Sequence, residues 1–436
     1  MSQYFNTLEI TRGFLTALTG SLFIYLSYWG IDQPFIHTLL GLAFFYLLLP
    51  APPPVWFWTG FFVGLFWFWW IGLSFLHYQM PWAIPFVVLS IGLVYGILFW
   101  SIAKTSEVLT NKLLQNRSVA QQHIPKLITL HFSLFTLILK SLGLLSMSYI
   151  HPLSFDWYKP ELLFVESDFG IAKWQFAIIL FAITLALWRR QLFFLLLVLL
   201  AYAPLPTTNP KIDPAVTIVS THTTIEEKWN PAMHPQQYQR LFEEIDRAIS
   251  AGKDLVILPE SVFPVFLNRD PALFNALRQR ANKINIVTGA LYWDGKTPRN
   301  STYIFTHEGN VTVANKVVLV PFGERNPLPD FLSKWVNRIF YDDAVDYKAD
   351  THLTDYTIEG KCYRNAICFE ATSEKLYEGN PANMIVLSNN GWFTPSIEPT
   401  LQRLLLQYYS RKYGTTIYHA VNMSPSYAVR DGEVVK

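Results

Sequence analysis

The chain has 436 residues, of which 51% are hydrophobic, 16% aromatic and only 15% charged. Ordinary soluble proteins carry about 25% charged residues, so this composition excludes a fully soluble globular protein, and it also excludes a disordered or fibrous one. A formal net charge of +2 excludes a nucleic-acid-binding protein that relies on a strongly basic surface.

The charged residues divide the sequence into two unlike halves. Residues 1–205 contain 17 Asp, Glu, Lys and Arg residues, whereas the remaining 231 residues contain 49. The first half is therefore typical of a membrane environment and the second of water. We predict a transmembrane domain over residues 1–206 and a water-soluble domain over residues 207–436, joined through the proline-rich stretch Ala203–Pro214.

Long uncharged stretches predict about seven membrane-spanning helices. No Asp, Glu, Lys or Arg occurs between Asp32 and Lys104, a stretch long enough for about three crossings of ~20 residues each. Lys140 falls inside the fifth span, and we expect its ammonium to extend to the outer headgroups rather than to lie inside the bundle. The predicted spans lie near 13–29, 34–49, 55–76, 83–103, 127–149, 172–188 and 191–206.

The loop charges predict the direction of these spans, because Lys and Arg collect on the cytoplasmic side. The loop 104–126 carries four basic residues and one acid, and Arg189–Arg190 precede the last span, so both are predicted to be cytoplasmic. The loop 150–171 carries four acids and fits the outside. Seven spans with the N-terminus inside then place residue 207 onward outside. One long helix over 172–206 would instead place residue 207 onward in the cytoplasm. It would bury Arg189 and Arg190 inside the membrane, at a free-energy cost of ~2.5–3.5 kcal/mol each.

The second half alternates short apolar runs with helical periodicity. Val- and Ile-rich strands separated by helices predict a layered α/β domain with some antiparallel pairing. No G-x-G-x-x-G or Walker pattern occurs, so nucleotide binding has no support. The predicted strands are 215–221, 254–259, 284–292, 300–306, 311–320, 354–359, 363–369, 384–389, 415–422 and 426–430, and the predicted helices are 236–251, 271–282, 371–378 and 398–413.

Three segments place reactive side chains at strand ends. Glu260 ends DLVILPE, where a partly desolvated carboxylate can serve as a general base. Lys316 begins the apolar run of NKVVLVPFGE, and a buried ammonium can stabilise an oxyanion. Cys368 ends the strand of YRNAICFE, where the following N–H groups favour a thiolate and can form an oxyanion hole. Taken singly, each residue also has an ordinary structural interpretation.

The two cysteines, Cys362 and Cys368, exclude a disulfide scaffold and a multi-cysteine metal site. If they share one strand, their Cα atoms lie roughly 20 Å apart, too far for a disulfide. Either thiol is therefore available for chemistry.

The order Glu260, Lys316, Cys368 resembles the nitrilase superfamily, whose members carry a Glu-Lys-Cys triad on an α-β-β-α sandwich. Within it, the segments LPES, NKVVLVPFGE, AICFE and SNNGWF look like those of the bacterial apolipoprotein N-acyltransferase family. That family also has a multi-span membrane domain followed by an outward-facing nitrilase-like domain. The resemblance covers nearly the whole chain and implies the base Glu260, the oxyanion lysine Lys316 and the nucleophile Cys368.

The resemblance implies supporting residues as well. Glu324 and Glu370 match two further acids near the triad, and Trp229 matches a tryptophan near the substrate. Trp392 lies in the matched SNNGWF segment, and the N–H of Phe369 would help to hold the oxyanion.

Three departures from the family pattern accompany these matches. Phe369 stands where the family usually has an aromatic hydroxyl, and HAVNMS at 419–424 keeps only Asn422 of an Arg-x-x-Asn-x-Gly-like segment. The family commonly adds a final strand region and one more membrane helix, whereas this sequence stops at Lys436. Either a short subfamily lacks that helix or the domain is incomplete.

The implied reaction is a two-stage acyl transfer at the bacterial inner membrane, with a periplasmic catalytic domain and no metal or organic cofactor. Cys368 takes an acyl chain from a phospholipid as a thioester, and the α-amine of a diacylglyceryl apolipoprotein then accepts it. The implied partners are these two lipids and the bilayer. Two alternatives stay open: a membrane-tethered nitrilase-type amidase with the same triad, and a non-catalytic lipid-binding protein, which the intact triad argues against.

Beyond Glu324, apolar residues recur at helical spacing over 328–340. This stripe predicts an interfacial amphipathic helix that opens the site to the bilayer, with a helix packed on the sandwich as the alternative. Its members are Leu328, Phe331, Leu332, Trp335, Val336, Ile339 and Phe340.

Overall fold

The chain forms two compact units. One comprises Met1–Pro152 and Asp156–Leu205, and the other comprises Leu153–Phe155 and Pro206–Lys436. The predicted amphipathic helix over 328–340 lies outside the residues that the structure describes. The computed structural model describes residues 6–118, 126–206, 211–321, 323–324 and 347–435.

Over the described residues of the first unit, every named secondary-structure element is a helix. Gly60 allows two of its helices to pack closely, because a Cβ at this position would lie 2.4 Å from the carbonyl oxygen of Tyr95. The helices are α1 Thr7–Thr19, α2 Leu22–Tyr28, α3 Pro34–Leu48, α4 Pro53–Phe68, α5 Ser74–His77, α6 Ile84–Ser118, α7 Lys126–Ser146 and α8 Lys173–Arg189, followed by the 3₁₀ helix Leu192–Ala201.

Two helical stretches among the described residues are long and apolar enough to cross a membrane, Pro53–His77 and Pro81–Leu113. Both correspond to predicted spans. Three further apolar helices are shorter, Pro34–Leu48, Ser133–Tyr149 and Leu192–Ala201. The count of seven spans therefore stays a prediction.

The predicted sixth and seventh spans form two separate segments. After α8, Arg190 adopts a left-handed conformation with φ of 55°, and Leu192–Ala201 follows as a 3₁₀ helix. Main-chain hydrogen bonds of 2.9 and 3.0 Å join residues 168–170 to residues 201–203. The chain consequently enters and leaves this helical pair at the same end.

Lys140 lies inside the helical unit and is only 4% exposed. Its ammonium donates to the main-chain carbonyl oxygens of Leu49 and Ala51, at 3.1 and 2.7 Å. Carbonyls at the end of a helix lack intrahelical donors, so they offer the ammonium the partners that water would otherwise supply. The expectation that Lys140 extends to the headgroups is therefore wrong.

The second unit is a mixed α/β domain with two six-stranded sheets. Its helices are α9 Ile225–Lys228, α10 His234–Ser250, α11 Pro271–Ala281 and α12 Glu398–Tyr413. Its strands are β1 Val216–Ile218, β2 Leu255–Ile257, β3 Phe263–Phe266, β4 Asn285–Trp293, β5 Pro298–Phe305, β6 Val311–Asn315, β7 Asp355–Ile358, β8 Lys361–Ile367, β9 Asn383–Asn389, β10 Thr416–Asn422, β11 Tyr427–Arg430 and β12 Glu433–Val435.

The first sheet has the order β1-β2-β4-β5-β6, with β3 also paired to β4, and the second has the order β12-β11-β10-β9-β8-β7. Both combine a parallel centre with antiparallel pairs. One apolar core joins the sheets through residues such as Ile257 and Leu387, and another packs α10 and α11 on the first sheet. Because α12 packs on β10 and β11, the layers run α-β-β-α. The mixed α/β prediction is confirmed.

Most predicted elements of this unit are present, with local differences. All ten predicted strands occur, and β3 and β12 are additional. The helix predicted over 371–378 is wrong, because the chain forms two short 3₁₀ turns, Cys368–Thr372 and Glu374–Tyr377. Ser373 between them has an extended backbone, with ψ of 135°, which interrupts helical hydrogen bonding.

Candidate active site

Glu260 lies just beyond β2, in a tightly packed strand end. Gly289 of β4 permits this packing, because a Cβ there would lie 2.3 Å from the main-chain nitrogen of Ser261 and 2.7 Å from the Cα of Glu260. The Glu260 side chain is buried, and its Oε1 accepts a hydrogen bond of 2.7 Å from Asn300 Nδ2. The carboxylate is thereby held in a fixed position, with a second oxygen left for chemistry.

Lys316 follows β6 directly and is only 1% exposed. Its Nζ lies 2.9 and 2.8 Å from the two carboxylate oxygens of Glu324. Burial alone lowers the pKa of Lys316, but the charges of Glu324 and Glu260 raise it further than burial lowers it. Lys316 is therefore a permanent buried cation at neutral pH.

Asn300 joins the two carboxylates. Its Nδ2 donates to Glu260 at 2.7 Å and to Glu324 Oε1 at 3.0 Å. Since Glu324 also holds Lys316, a continuous polar network connects the strand-end carboxylate to the buried ammonium. The sequence reasoning missed Asn300, because no local pattern distinguishes one inward-facing amide at the start of β5.

Cys368 sits at the elbow between β8 and the following 3₁₀ turn, with a φ of 53°. Glu370 stabilises this elbow, because its carboxylate accepts hydrogen bonds from the main-chain N–H groups of Ile367, Val317 and Val318, at 2.7, 2.7 and 3.0 Å. Burial raises the pKa of Glu370 to about 7, against the lowering effect of Lys316 and of those N–H groups. Glu370 thus ties the cysteine to the chain that follows Lys316.

The surroundings of Cys368 favour the protonated thiol over the thiolate. Burial raises its pKa and so does the charge of Glu260, whereas Lys316 opposes them. The expectation that neighbouring N–H groups favour a thiolate is therefore wrong for the resting structure, in which desolvation is the larger effect. A thiol of this kind needs a base to become a nucleophile.

Lys228 is a second buried lysine of the site that the sequence reasoning missed. Its ammonium donates to the main-chain carbonyl of Glu260 at 2.9 Å. Burial lowers the pKa of Lys228 to about 8, while the charges of Glu260 and Cys368 act in the opposite direction. Its place directly before the matched Trp229 was the available signal.

The remaining residues singled out from the sequence occupy different surroundings. Trp229 is 42% exposed at the end of α9, and Trp392 is half-buried in a 3₁₀ turn after β9. Phe369 is buried, and its ring stacks on Phe155 with a centroid distance of 5.7 Å. Asn422 bridges strand ends, exchanging hydrogen bonds with residues 221–223 and donating to Asn389.

Two buried side chains of α12 complete the cluster, and sequence reasoning missed both. Gln402 Nε2 lies 4.0 Å from Cys368 Sγ. Glu398, one turn earlier, is 2% exposed, and burial together with the charge of Glu260 raises its pKa to about 8. Among the described residues, no group of three or more His, Cys, Asp or Glu side chains could hold a metal ion.

The arrangement supplies the parts of acyl transfer through a cysteine: a fixed carboxylate, a buried cation and a thiol at a strand-end elbow. Glu260, Lys316 and Cys368 are close in space, because the charges of Glu260 and Cys368 raise the pKa of Lys316, and the charges of Glu260 and Lys316 act in opposite directions on the pKa of Cys368. Clusters of perturbed titratable groups in one site are typical of catalytic centres.

Comparisons with known proteins identify related sequences over most of the chain. Residues 7–205 match the family described as "Apolipoprotein N-acyltransferase integral membrane domain". An apolipoprotein N-acyltransferase of Wolinella succinogenes is 40% identical over 94% of this chain and 93% of its own length. That of Helicobacter pylori is 33% identical over 92% of this chain and 89% of its own.

A solved structure of a CN-hydrolase superfamily protein from Xanthomonas campestris is similar to half of the chain. It is 15% identical, covers 50% of this chain and 83% of its own, and has a TM-score of 0.38. The fold therefore rests on the strand order and layers given above.

Proposed function

This chain belongs to the apolipoprotein N-acyltransferase family, and we propose that it moves a fatty acyl chain from a phospholipid to the α-amine of the lipidated N-terminal cysteine of an apolipoprotein. Membership of the family makes the protein an acyltransferase of lipoprotein biosynthesis. One observation supports the proposed route: the partly buried Cys368 thiol, whose pKa is raised by desolvation, is grouped with a fixed carboxylate, Glu260, and a buried cation, Lys316.

In the first stage, Glu260 removes the proton of the Cys368 thiol, and the thiolate attacks the ester carbonyl of the phospholipid. Lys316 and the main-chain N–H of Phe369 hold the oxyanion. The C–O bond then breaks, and the departing lysophospholipid oxygen takes the proton from Glu260. A thioester on Cys368 and an ionised Glu260 remain.

In the second stage, the α-amine of the apolipoprotein attacks the thioester carbonyl. The C–S bond breaks, the amide forms, and the Cys368 sulfur recovers a proton through Glu260. The thioester suits this step because it divides one difficult transfer into two easier ones. We assign Trp229 and Trp392 to contacts with the lipid substrates. Trp229 directly follows Lys228 and is 42% exposed, and Trp392 is half-buried in the turn after β9.

Mass spectrometry of the purified protein incubated with phospholipid vesicles tests this route. The Cys368 peptide is expected to gain the mass of one acyl chain, and the gain should disappear when an apolipoprotein peptide is added. Cys368→Ser should form no thioester, whereas Cys362→Ser should form it normally, because Cys362 is exposed at the opposite end of β8. An adduct on Cys362, or none in the unmodified chain, contradicts the proposal.

We also propose that residues 1–206 cross the inner membrane about seven times and that residues 207–436, the catalytic domain, lie in the periplasm. The loop charges support this orientation, and so does the return of the chain at residues 201–203 to the level of 168–170. A reporter that is active only in the periplasm, fused after Lys436, is expected to be active. An active cytoplasmic reporter at that position would contradict the proposed orientation.

A further inference from the structure

The first two turns of α12 direct a pair of buried polar side chains to the catalytic cysteine. Glu398 and Gln402 are four residues apart and therefore share one helix face. They are 2% and 1% exposed. Gln402 Nε2 lies 4.0 Å from Cys368 Sγ, the charge of Glu398 raises the pKa of the same thiol, and the charge of Glu260 raises the pKa of Glu398. The pair thus borders the reacting sulfur from the helix side.

Both side chains present buried acceptor oxygens that receive no hydrogen bond from any described residue. These atoms are Glu398 Oε2 and Gln402 Oε1. The other acids of the site have donors: Glu260 receives Asn300, Glu324 receives Lys316, and Glu370 receives three main-chain N–H groups. A buried acceptor without a donor costs about 1–3 kcal/mol. The site is consequently suited to a ligand that carries several N–H donors.

The nearby protein groups do not fill this role. Lys316 is engaged by Glu324, and Lys228 by the carbonyl of Glu260. Buried His419 of β10 is neutral, because burial lowers its pKa to about 3. From β11, Tyr427 is affected by the charges of Arg403 and Glu398, and at the far end of α12 Lys412 pairs with Glu374. Glu260 faces Glu398 as a like charge.

The proton balance of the second stage calls for a second acceptor. An α-amine is largely an ammonium at neutral pH, since its ordinary pKa is about 7.7–8.0. Between ammonium and amide the nitrogen loses two protons. The Cys368 sulfur takes one of them as it leaves, through Glu260, and the other needs another base close to the thioester.

We propose that Glu398, assisted by Gln402, is the receptor for the acceptor's α-ammonium and takes its first proton. The inference rests on the acyl-transfer function proposed above. In the resting site at pH 7 Glu398 is mostly protonated, because burial raises its pKa to about 8, and it loses this proton to solvent when the cationic ammonium enters. The ammonium then donates to Glu398 Oε2 and Gln402 Oε1, and Glu398 removes one N–H proton. The neutral amine forms the new C–N bond, the C–S bond breaks, and the second N–H proton passes through Glu260 to the sulfur. Glu398 is thereby returned to its protonated resting state.

The test separates the two half-reactions in the purified full-length protein. Acylation is followed by the mass gain on Cys368 with phospholipid vesicles, and aminolysis by its loss when a synthetic diacylglyceryl-cysteine peptide is added. With Glu398→Gln, aminolysis at pH 7 is expected to fall about 10²-fold, within the range of a lost general base, and acylation far less. Glu308→Gln, in an exposed turn, is the matched control.

A neutral nucleophile sharpens the test. Hydroxylamine is uncharged at pH 7 and needs no ammonium receptor, so Glu398→Gln should release its acyl chain to hydroxylamine at nearly the rate of the unmodified protein. The deficit toward the peptide should shrink as the pH rises above 8, where the amine is already neutral. Gln402→Met should raise the KM for the peptide more than it lowers kcat.

Three results would overturn the inference. Unchanged peptide aminolysis in Glu398→Gln would exclude a receptor role. An equal loss with hydroxylamine and in acylation would show that Glu398 only maintains the shape of the site. Failure of the unmodified protein to acylate Cys368 at all would refute the proposed function itself, and this outcome is distinguishable because it appears without any substitution.

Discussion

Both units of the molecule bury charged side chains, but they stabilise them differently. In the helical unit, fully buried Glu161 pairs with Lys173 at 2.6 Å and accepts a hydrogen bond of 2.6 Å from Ser148. The Lys140 ammonium there is received by two main-chain carbonyls. Each of these buried charges therefore lies within hydrogen-bonding distance of its partners.

In the α/β unit, acids outnumber their partners around Cys368. Glu260, Glu370 and Glu398 are buried, Glu324 lies at the edge of the cluster, and Lys316 and Lys228 are the two lysines among the described residues of the site. Several of these groups have shifted pKa values. The matched buried charges of the helical unit stabilise its fold, whereas the unmatched set of the α/β unit lies where the proposed reaction would transfer protons.

The largest expected effect comes from removing the central cation of the unmatched set. Lys316→Met leaves Glu324 and Glu260 without their common cation, so the free energy of unfolding should fall by about 3–5 kcal/mol. Loss of the oxyanion donor should slow acylation of Cys368 by about 10²–10³-fold. Chemical denaturation and the rate of acyl-enzyme formation measure the two effects.

A second lysine–carboxylate pair of the same unit supplies the control. Lys361 pairs with Asp213 at the surface, and its side chain is 53% exposed. Lys361→Met should cost no more than about 1 kcal/mol and leave acylation unchanged. Similar losses in the two variants would contradict the special role given to the buried pair.

Glu398 should make stability depend on pH. Because burial raises its pKa from 4.5 to about 8, the folded state holds a proton that the unfolded chain releases. The stabilising contribution is complete below about pH 4.5 and is lost as pH rises through about 8. The Tm of the unmodified protein should therefore fall by several degrees as the pH rises through this window, relative to the Tm of Glu398→Gln. If Tm depends on pH in the same way in both proteins, the pKa of Glu398 is not raised by folding.

A smaller effect is expected from the matched charges of the helical unit. Lys140→Met removes the donor to the carbonyls of Leu49 and Ala51, and leaving these acceptors buried should cost about 1–3 kcal/mol. Acylation per folded molecule should stay unchanged, because Lys140 serves packing. A loss of acylation without a loss of stability would break the distinction between the two units.

The sequence singled out Glu260, Lys316 and Cys368 because each directly follows or precedes an apolar strand, and the resemblance of their order and flanking motifs to the nitrilase superfamily predicted a triad. Asn300 and Glu398 carry no such signal. Asn300 contacts Glu260 and Glu324 only because β5 lies between β4 and β6, and Glu398 approaches Cys368 only because α12 packs on the second sheet. Such contacts depend on which elements become neighbours, and local patterns do not encode this.

The same reason explains the error at Lys140. Its charge is visible in the sequence, but the carbonyls that receive it belong to the end of another helix, 89 and 91 residues away. In contrast, strand and helix positions in the α/β unit depend on local periodicity, so all ten predicted strands are present. Among the predicted helices the exception is the segment 371–378, where the extended backbone of Ser373 separates two short 3₁₀ turns.

The smallest expected effect tests the packing beside the elbow at Cys368. Phe155 stacks on Phe369, the residue after Cys368, with 17° between the ring planes. Phe155→Leu should lower the free energy of unfolding of the α/β unit by about 0.5–1.5 kcal/mol, the usual value of a buried ring pair. The rings of Phe193 and Phe194 in the helical unit also stack, but Phe193 is exposed, so Phe193→Leu should change stability by less than about 0.5 kcal/mol. Acylation of Cys368 should fall about threefold or less in Phe155→Leu, because Glu370 and not the ring stack holds the elbow through three main-chain hydrogen bonds. A much larger loss of acylation would show that the ring stack itself positions Cys368. The rate of acylation would then depend on this packing as well as on the unmatched charges.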